Sequence, residues 1–61
     1  MEKVVRILMR RDDMTREEAT ELVKDTMREV RDAIEAGDFS LAEDIFEGDL
    51  GLEPDYLMLM L

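Results

Sequence analysis

Apolar residues recur at helical spacing along nearly the whole of this chain. Val4, Val5 and Leu8 fall at i, i+1 and i+4, with Ile7 widening the stripe, which predicts a first helix over residues 2–11. Arg10 and Arg11 sit in its last turn, where cations complement the negative end of the helix dipole. Asp12 and Asp13 then interrupt the pattern. Thr15-Arg16-Glu17-Glu18 reads as a capping box, the Thr15 hydroxyl accepting from the Glu18 N–H while the Glu18 carboxylate accepts from the Thr15 N–H. A second helix is predicted over residues 16–36. Ala19, Leu22, Val23, Thr26, Met27, Val30, Ala33 and Ile34 give it one continuous apolar face, about five turns long. On its exposed side Asp25–Arg28, Arg28–Asp32 and Arg31–Glu35 are spaced to pair.

Gly37 can take positive φ and stops that helix. Ser40-Leu41-Ala42-Glu43 offers another capping box for a third helix over residues 40–50, with Asp38 as a rival cap. Leu41, Ala42, Ile45, Phe46 and Leu50 form its apolar face, and Gly48 inside it costs about 1 kcal/mol relative to alanine. Gly51 followed by Leu52 suggests a Schellman-type stop, with Leu52 folding back towards Phe46. Glu53-Pro54-Asp55 opens a fourth helix over residues 54–61. Sustained apolar–polar alternation is missing, so the expectation is all-α: a compact bundle of three to four helices in a single domain, residues 1–61.

Length changes that picture by raising a question of stability. A domain of about 60 residues buries only ~60% of the surface its unfolded chain exposes. Small scaffolds compensate with disulfides, a metal or oligomerisation. This chain has no cysteine and no histidine, which leaves oligomerisation or well-idealised packing. A homo-oligomer, with a dimer favoured, is therefore expected. The segment that asks for it is Tyr56, Leu57, Met58, Leu59, Met60 and Leu61, apolar on every side of a short helix. These six residues are the candidate interface, and the two methionines among them would make it adaptable.

Charge adds a direction along the chain. The formal net charge is -9. Residues 1–16 carry five basic and three acidic side chains, residues 17–36 three and seven, and residues 37–61 none and seven. Such a chain should be repelled by nucleic acid and by anionic membranes. Arg6, Arg10, Arg11 and Arg16 could form a small basic patch, expected to pair with the acidic C-terminal half. Asp38, Glu43, Asp44, Glu47, Asp49, Glu53 and Asp55 form a candidate acidic face, suited to a basic protein partner. The N-terminal residues lack the apolar run of a signal peptide, and the run at 56–61 falls far short of the ~20 residues that span a bilayer. A soluble, cytoplasmic protein is expected.

Candidate chemistry is thin. Without histidine, cysteine or a glycine-rich phosphate loop, the common nucleophile–base sets have no residues to use. A two-carboxylate hydrolase would need a cleft that a chain this short has little volume to form. The acids of 38–49 fall on a predicted helix and lack the spacing of a calcium loop. The second helix is acidic at its N-terminus, where a DNA-recognition helix would meet phosphates. No enzyme activity, catalytic residue, metal or cofactor is expected.

Two resemblances bear on this reading. Gly37-Asp38-Phe39-x-x-Ala42-x-x-x-Phe46-x-x-x-Leu50-x-x-x-Pro54-Asp55 resembles the second half of a tetratricopeptide repeat, with Asp49 where the repeat prefers a small residue. A single unit makes no solenoid, so the resemblance implies a helical hairpin and not peptide binding. The capping box, the Ala36-Gly37-Asp38-Phe39 turn and the Gly51-Leu52-Glu53-Pro54-Asp55-Tyr56 ending are similar to those of short acidic helical proteins of phages and bacterial mobile elements. That likeness implies an accessory protein, in the host cytoplasm if phage-encoded, and transfers no functional residue. The expected function is a small interaction protein that self-associates through its apolar C-terminal helix. The alternative is an acidic inhibitor that mimics nucleic acid to block a host nuclease or other defence enzyme.

Overall fold

The computed structural model describes residues 1–60. Four helices follow in order: α1 (Glu2–Arg11), α2 (Arg16–Glu35), α3 (Phe39–Leu50) and α4 (Asp55–Met60). No strand occurs among the described residues. The fold is all-α, as the apolar periodicity predicts, and measures 33 × 18 × 17 Å. A helix of 20 residues is about 30 Å long, so α2 sets the long dimension.

Helix α2 starts where its capping box requires. The Thr15 N–H donates to Glu18 Oε1 (2.9 Å) and the Glu18 N–H donates to Thr15 Oγ1 (3.1 Å). Its end is a Schellman motif: the Gly37 N–H donates to the Ile34 carbonyl and the Asp38 N–H to the Ala33 carbonyl, both at 2.9 Å. Gly37 takes φ +80° there, so the helix proper ends at Glu35 and not at residue 36. The chain reverses through this turn. Thr26 meets Asp49 across the α2–α3 pair, which is the register of an antiparallel hairpin.

Three local expectations are corrected. Asp38, and not Ser40, caps α3: the Leu41 N–H donates to Asp38 Oδ1 at 3.0 Å, and the helix begins at Phe39. Leu41 is 46% exposed and Phe39 45%, so neither joins the core. The Schellman bond pair expected at Gly51 lies at Gly37 instead. Gly51 ends α3 in the left-handed region (φ +63°) with one bond, from its N–H to the Glu47 carbonyl at 2.7 Å.

The core draws on every helix. Val4, Val5 and Leu8 enter from α1, Ala19, Val23, Met27, Val30 and Ala33 from α2, Ala42, Phe46 and Leu50 from α3, and Leu57 from α4. Leu52 follows from the α3–α4 link and is buried. Among the described residues Thr26 is the one buried polar residue, and its hydroxyl lies 3.4 Å from Asp49 Oδ2. Asp49, which departs from the tetratricopeptide pattern, thus stands opposite the hydroxyl that α2 buries.

The link between the two halves of the chain comes from Arg11. It lies at the end of α1, yet its guanidinium caps α3: NH1 donates to the Gly51 carbonyl (2.9 Å) and NH2 to the Leu50 carbonyl (2.6 Å). Asp12 holds the same guanidinium from behind through Nε (3.0 Å) and NH2 (2.8 Å). Asp12 is placed there as the C-cap residue of α1, and Asp13 after it turns the link with φ +55°, a left-handed conformation that aspartate tolerates better than most residues.

Two glycines three residues apart should respond oppositely to alanine. Gly48 is exposed in helical backbone and an added Cβ meets nothing within 4 Å. Gly48→Ala should raise stability by about 1 kcal/mol, since only the helix propensity changes. At Gly51 an added Cβ is strained by the positive φ and lies 3.3 Å from Arg11 NH1. Gly51→Ala should cost about 1–2 kcal/mol from the backbone alone. The part that comes from crowding the guanidinium should vanish in an Arg11→Ala background. Urea unfolding of the single and double variants measures all three effects.

Candidate interaction surface

Helix α4 begins with two tight bonds, from the Tyr56 N–H to the Glu53 carbonyl (3.0 Å) and from the Leu57 N–H to the Pro54 carbonyl (2.9 Å). Its six residues are then divided by the core. Leu57 is fully buried, while Tyr56 and Met60 are half-buried. Met58 and Leu59 are 65% and 64% exposed. Leu61, the last of the six candidate interface residues, lies outside the described residues. The apolar segment is therefore seated on one side only and presents two large side chains outwards. Lys3 of α1 covers part of it, its ammonium 5.8 Å from the centroid of the Tyr56 ring.

Met60 also borders a groove of about 540 Å³ that runs along α2. Met1, Val23 and Met27 form the rest of its apolar lining, and Lys24, Arg28 and Arg31 stand along it as exposed cations. Asp32 and Glu35 continue the wall one turn further on. Of the three surface pairs expected on α2, only Asp25–Arg28 comes within ion-pair reach, at 3.7 Å.

The arginines of the N-terminal half do not pair with the acidic C-terminal half. Glu2 takes both Arg6 (Nε, 3.0 Å) and Arg16 (NH1, 2.7 Å; NH2, 3.0 Å), and Asp12 takes Arg11. Arg6 and Arg11 find acids one turn and one residue away, and Arg16 reaches Glu2 from the start of α2, so none of the three turns to the C-terminal acids. Arg10 makes no ion pair among the described residues. The hydrogen bonds from Arg16, aided by Arg6, hold the Glu2 carboxyl down to about 2 from its ordinary 4.5. Backbone and side-chain hydrogen bonds from Thr15 likewise lower Glu18.

The seven acids of the C-terminal half are left without a cation: none forms a salt bridge among the described residues. Asp38 is used as the α3 cap and Asp49 faces Thr26. Asp44, Glu47, Glu53 and Asp55 are exposed and Glu43 is half-buried. Glu43, Asp44 and Glu47 share one face of α3 by their i, i+1, i+4 spacing. Among the described residues no three acidic side chains converge as metal ligands, and no helix is long and apolar enough to cross a membrane.

The Arg11 clamp and the groove on α2 were not visible in the sequence. The clamp joins residues about 40 positions apart, and no spacing rule reaches that far. The Glu2–Arg6 pair did carry a signal, an i, i+4 spacing in the correct order. No family model, curated protein or solved structure matches this chain, so the surface is read from its own geometry.

Glu2 gives a pH dependence of known sign. Its folded pKa lies below the unfolded one, so its contribution is full above about 4.5 and is lost as pH falls towards 2. Both partners are more than half exposed, so the effect is small and weakened by salt. Protonating the unpaired acids acts in the opposite sense by relieving repulsion, so the clean observable is a difference. Glu2→Gln should melt below the unaltered chain at pH 7, and the two melting temperatures should converge as pH approaches 2.

Proposed function

We propose that this chain is a non-enzymatic helical interaction protein that associates with a second copy of itself through α4. The observation that carries this reading is the exposure of Met58 and Leu59 side by side, next to the buried Leu57 that anchors them. Six consecutive apolar residues are more than this small core covers. Exposed large apolar side chains that adjoin one another mark interaction sites, whereas isolated ones need no explanation. Methionine suits such a surface because its unbranched thioether adapts to its neighbour. The lack of histidine and cysteine favours a binding role over the common nucleophile–base chemistries.

The measurement is light scattering coupled to sizing at high micromolar concentration. The unaltered chain should run as a dimer. Met58→Lys/Leu59→Lys should run as a monomer with little change in helicity, because neither side chain belongs to the core. A monomeric unaltered chain would overturn the reading.

A second reading is favoured by one specific observation: the seven C-terminal acids are left without intramolecular cations. On that reading the acidic face docks on a basic protein and competes with nucleic acid for it. Reversing Glu43, Asp44 and Glu47 to lysine should abolish capture of such a target from lysate, and added DNA should compete with the unaltered chain. Capture that survives the reversal excludes this use of the face.

A further inference from the structure

The apolar patch on α4 is too small to hold a dimer alone. Met58 and Leu59 together offer on the order of 200 Å² of apolar surface to a partner. A stable interface buries about 800 Å² per partner. That is about a fifth of the 4216 Å² that this molecule exposes. Further surface must join the patch, and it must be continuous with it.

The groove on α2 meets that condition. Met60 borders the groove and follows Leu59 in α4, so the groove begins one residue from the patch. The groove has an apolar lining and a cationic rim. The segment that carries the patch has the opposite character, with exposed Glu53 and Asp55 preceding exposed Met58 and Leu59. Lys24 and Arg31 have no ion-pair partner among the described residues, nor do Glu53 and Asp55.

Resting on the self-association reading above, we infer that the α2 groove of each copy receives the α4 segment of the other. Met58 and Leu59 enter against the partner's Met1, Met27 and Met60, while Glu53 and Asp55 approach the partner's Lys24, Arg28 and Arg31. Projection and groove are adjacent, joined through Met60. A two-fold axis can therefore fill both grooves at once and close the assembly at two copies. Asp32 and Glu35, one turn beyond Arg28 and Arg31, disfavour a shifted seating that would bring acid against acid.

Charge exchange tests this arrangement. Lys24→Glu/Arg31→Glu makes groove and tail both acidic; Glu53→Lys/Asp55→Lys makes both basic. Each variant alone should lose at least tenfold in dimer affinity, and an equimolar mixture should recover a heterodimer, since both contacts are then opposite in sign. A mixture that stays monomeric, or a Lys24→Glu/Arg31→Glu chain that dimerises as tightly as the unaltered one, overturns the inference. If that chain still dimerises while Met58→Lys/Leu59→Lys does not, the self-association reading stands and only the groove is excluded. A monomeric unaltered chain removes both.

A second measurement does not depend on how well Asp55→Lys preserves α4. The chain has no cysteine, so Lys24→Cys gives a single attachment point for a nitroxide. Mixed with unlabelled, isotope-enriched chains, it should broaden the amide signals of residues 58–60 in the other copy. Undiminished signals there, in a sample shown to be dimeric, overturn the inference.

Discussion

Burial against α2 is the constraint from which the other elements take their places. A chain of 61 residues has no second layer to share the load, so one apolar face about five turns long must serve both α1 and α3. Ala19, Val23, Thr26 and Val30 are all at or below 1% exposure along it. Alanine at 19, 33 and 42 lets neighbouring backbones come close, and Phe46 fills the space between with no exposure at all. Burying a side chain of that size is worth about 2–3 kcal/mol. Total stability for a chain of this length is of order 3–9 kcal/mol. One residue on α3 therefore carries a large share of what separates the folded chain from the unfolded one.

The helices on either side of α2 still need a tie, and Arg11 supplies it. The last carbonyls of any helix lack intrahelical donors. At the end of α3 two of them accept from a guanidinium rooted in α1, which Asp12 orients. Gly51 admits that guanidinium because it has no Cβ to crowd it, and its positive φ turns the chain towards α4. One glycine thus serves the α3 stop, the arginine contact and the placement of Leu57. The exposed patch of α4 is held out from a fixed base.

What the sequence made legible follows from how far each interaction reaches. Helix existence, the Thr15–Glu18 box and the buried face of α2 depend on neighbours within one or two turns, and all three were readable. Leu22 and Ile34, at the margins of that face, came out half-buried. The α3 start is ambiguous in the sequence because two capping residues compete within three positions. The Schellman bonds at Gly37 place Asp38 at the helix entrance, and that geometry decides between the two. Leu41 faces outwards because the buried row of α3 is Ala42, Phe46 and Leu50, which leaves Leu41 on its flank. The candidate interface was readable as six apolar residues, but which of them face solvent depends on what the core already covers. The groove of Met1, Met27, Met60, Lys24 and Arg31 depends on three elements meeting, and nothing along the chain announces it.

Net charge imposes a last condition on any self-association. Two copies at -9 repel each other, and screening confines that repulsion to about 10 Å at 0.1 M salt without removing it at contact. A dimer must therefore approach where the local charge is least negative. The α3 face, with Glu43, Asp44 and Glu47, is the worst place for two copies to meet. The α2 groove, with Lys24, Arg28 and Arg31 in its rim, is the best place next to the apolar patch. Among the described residues none of α3 lines the α2 groove, so an interface of α4 with that groove would not draw on Glu43, Asp44 and Glu47. Under the proposed self-association, the uneven charge along the chain would put cations where a second copy approaches and keep the acids of α3 out of that contact.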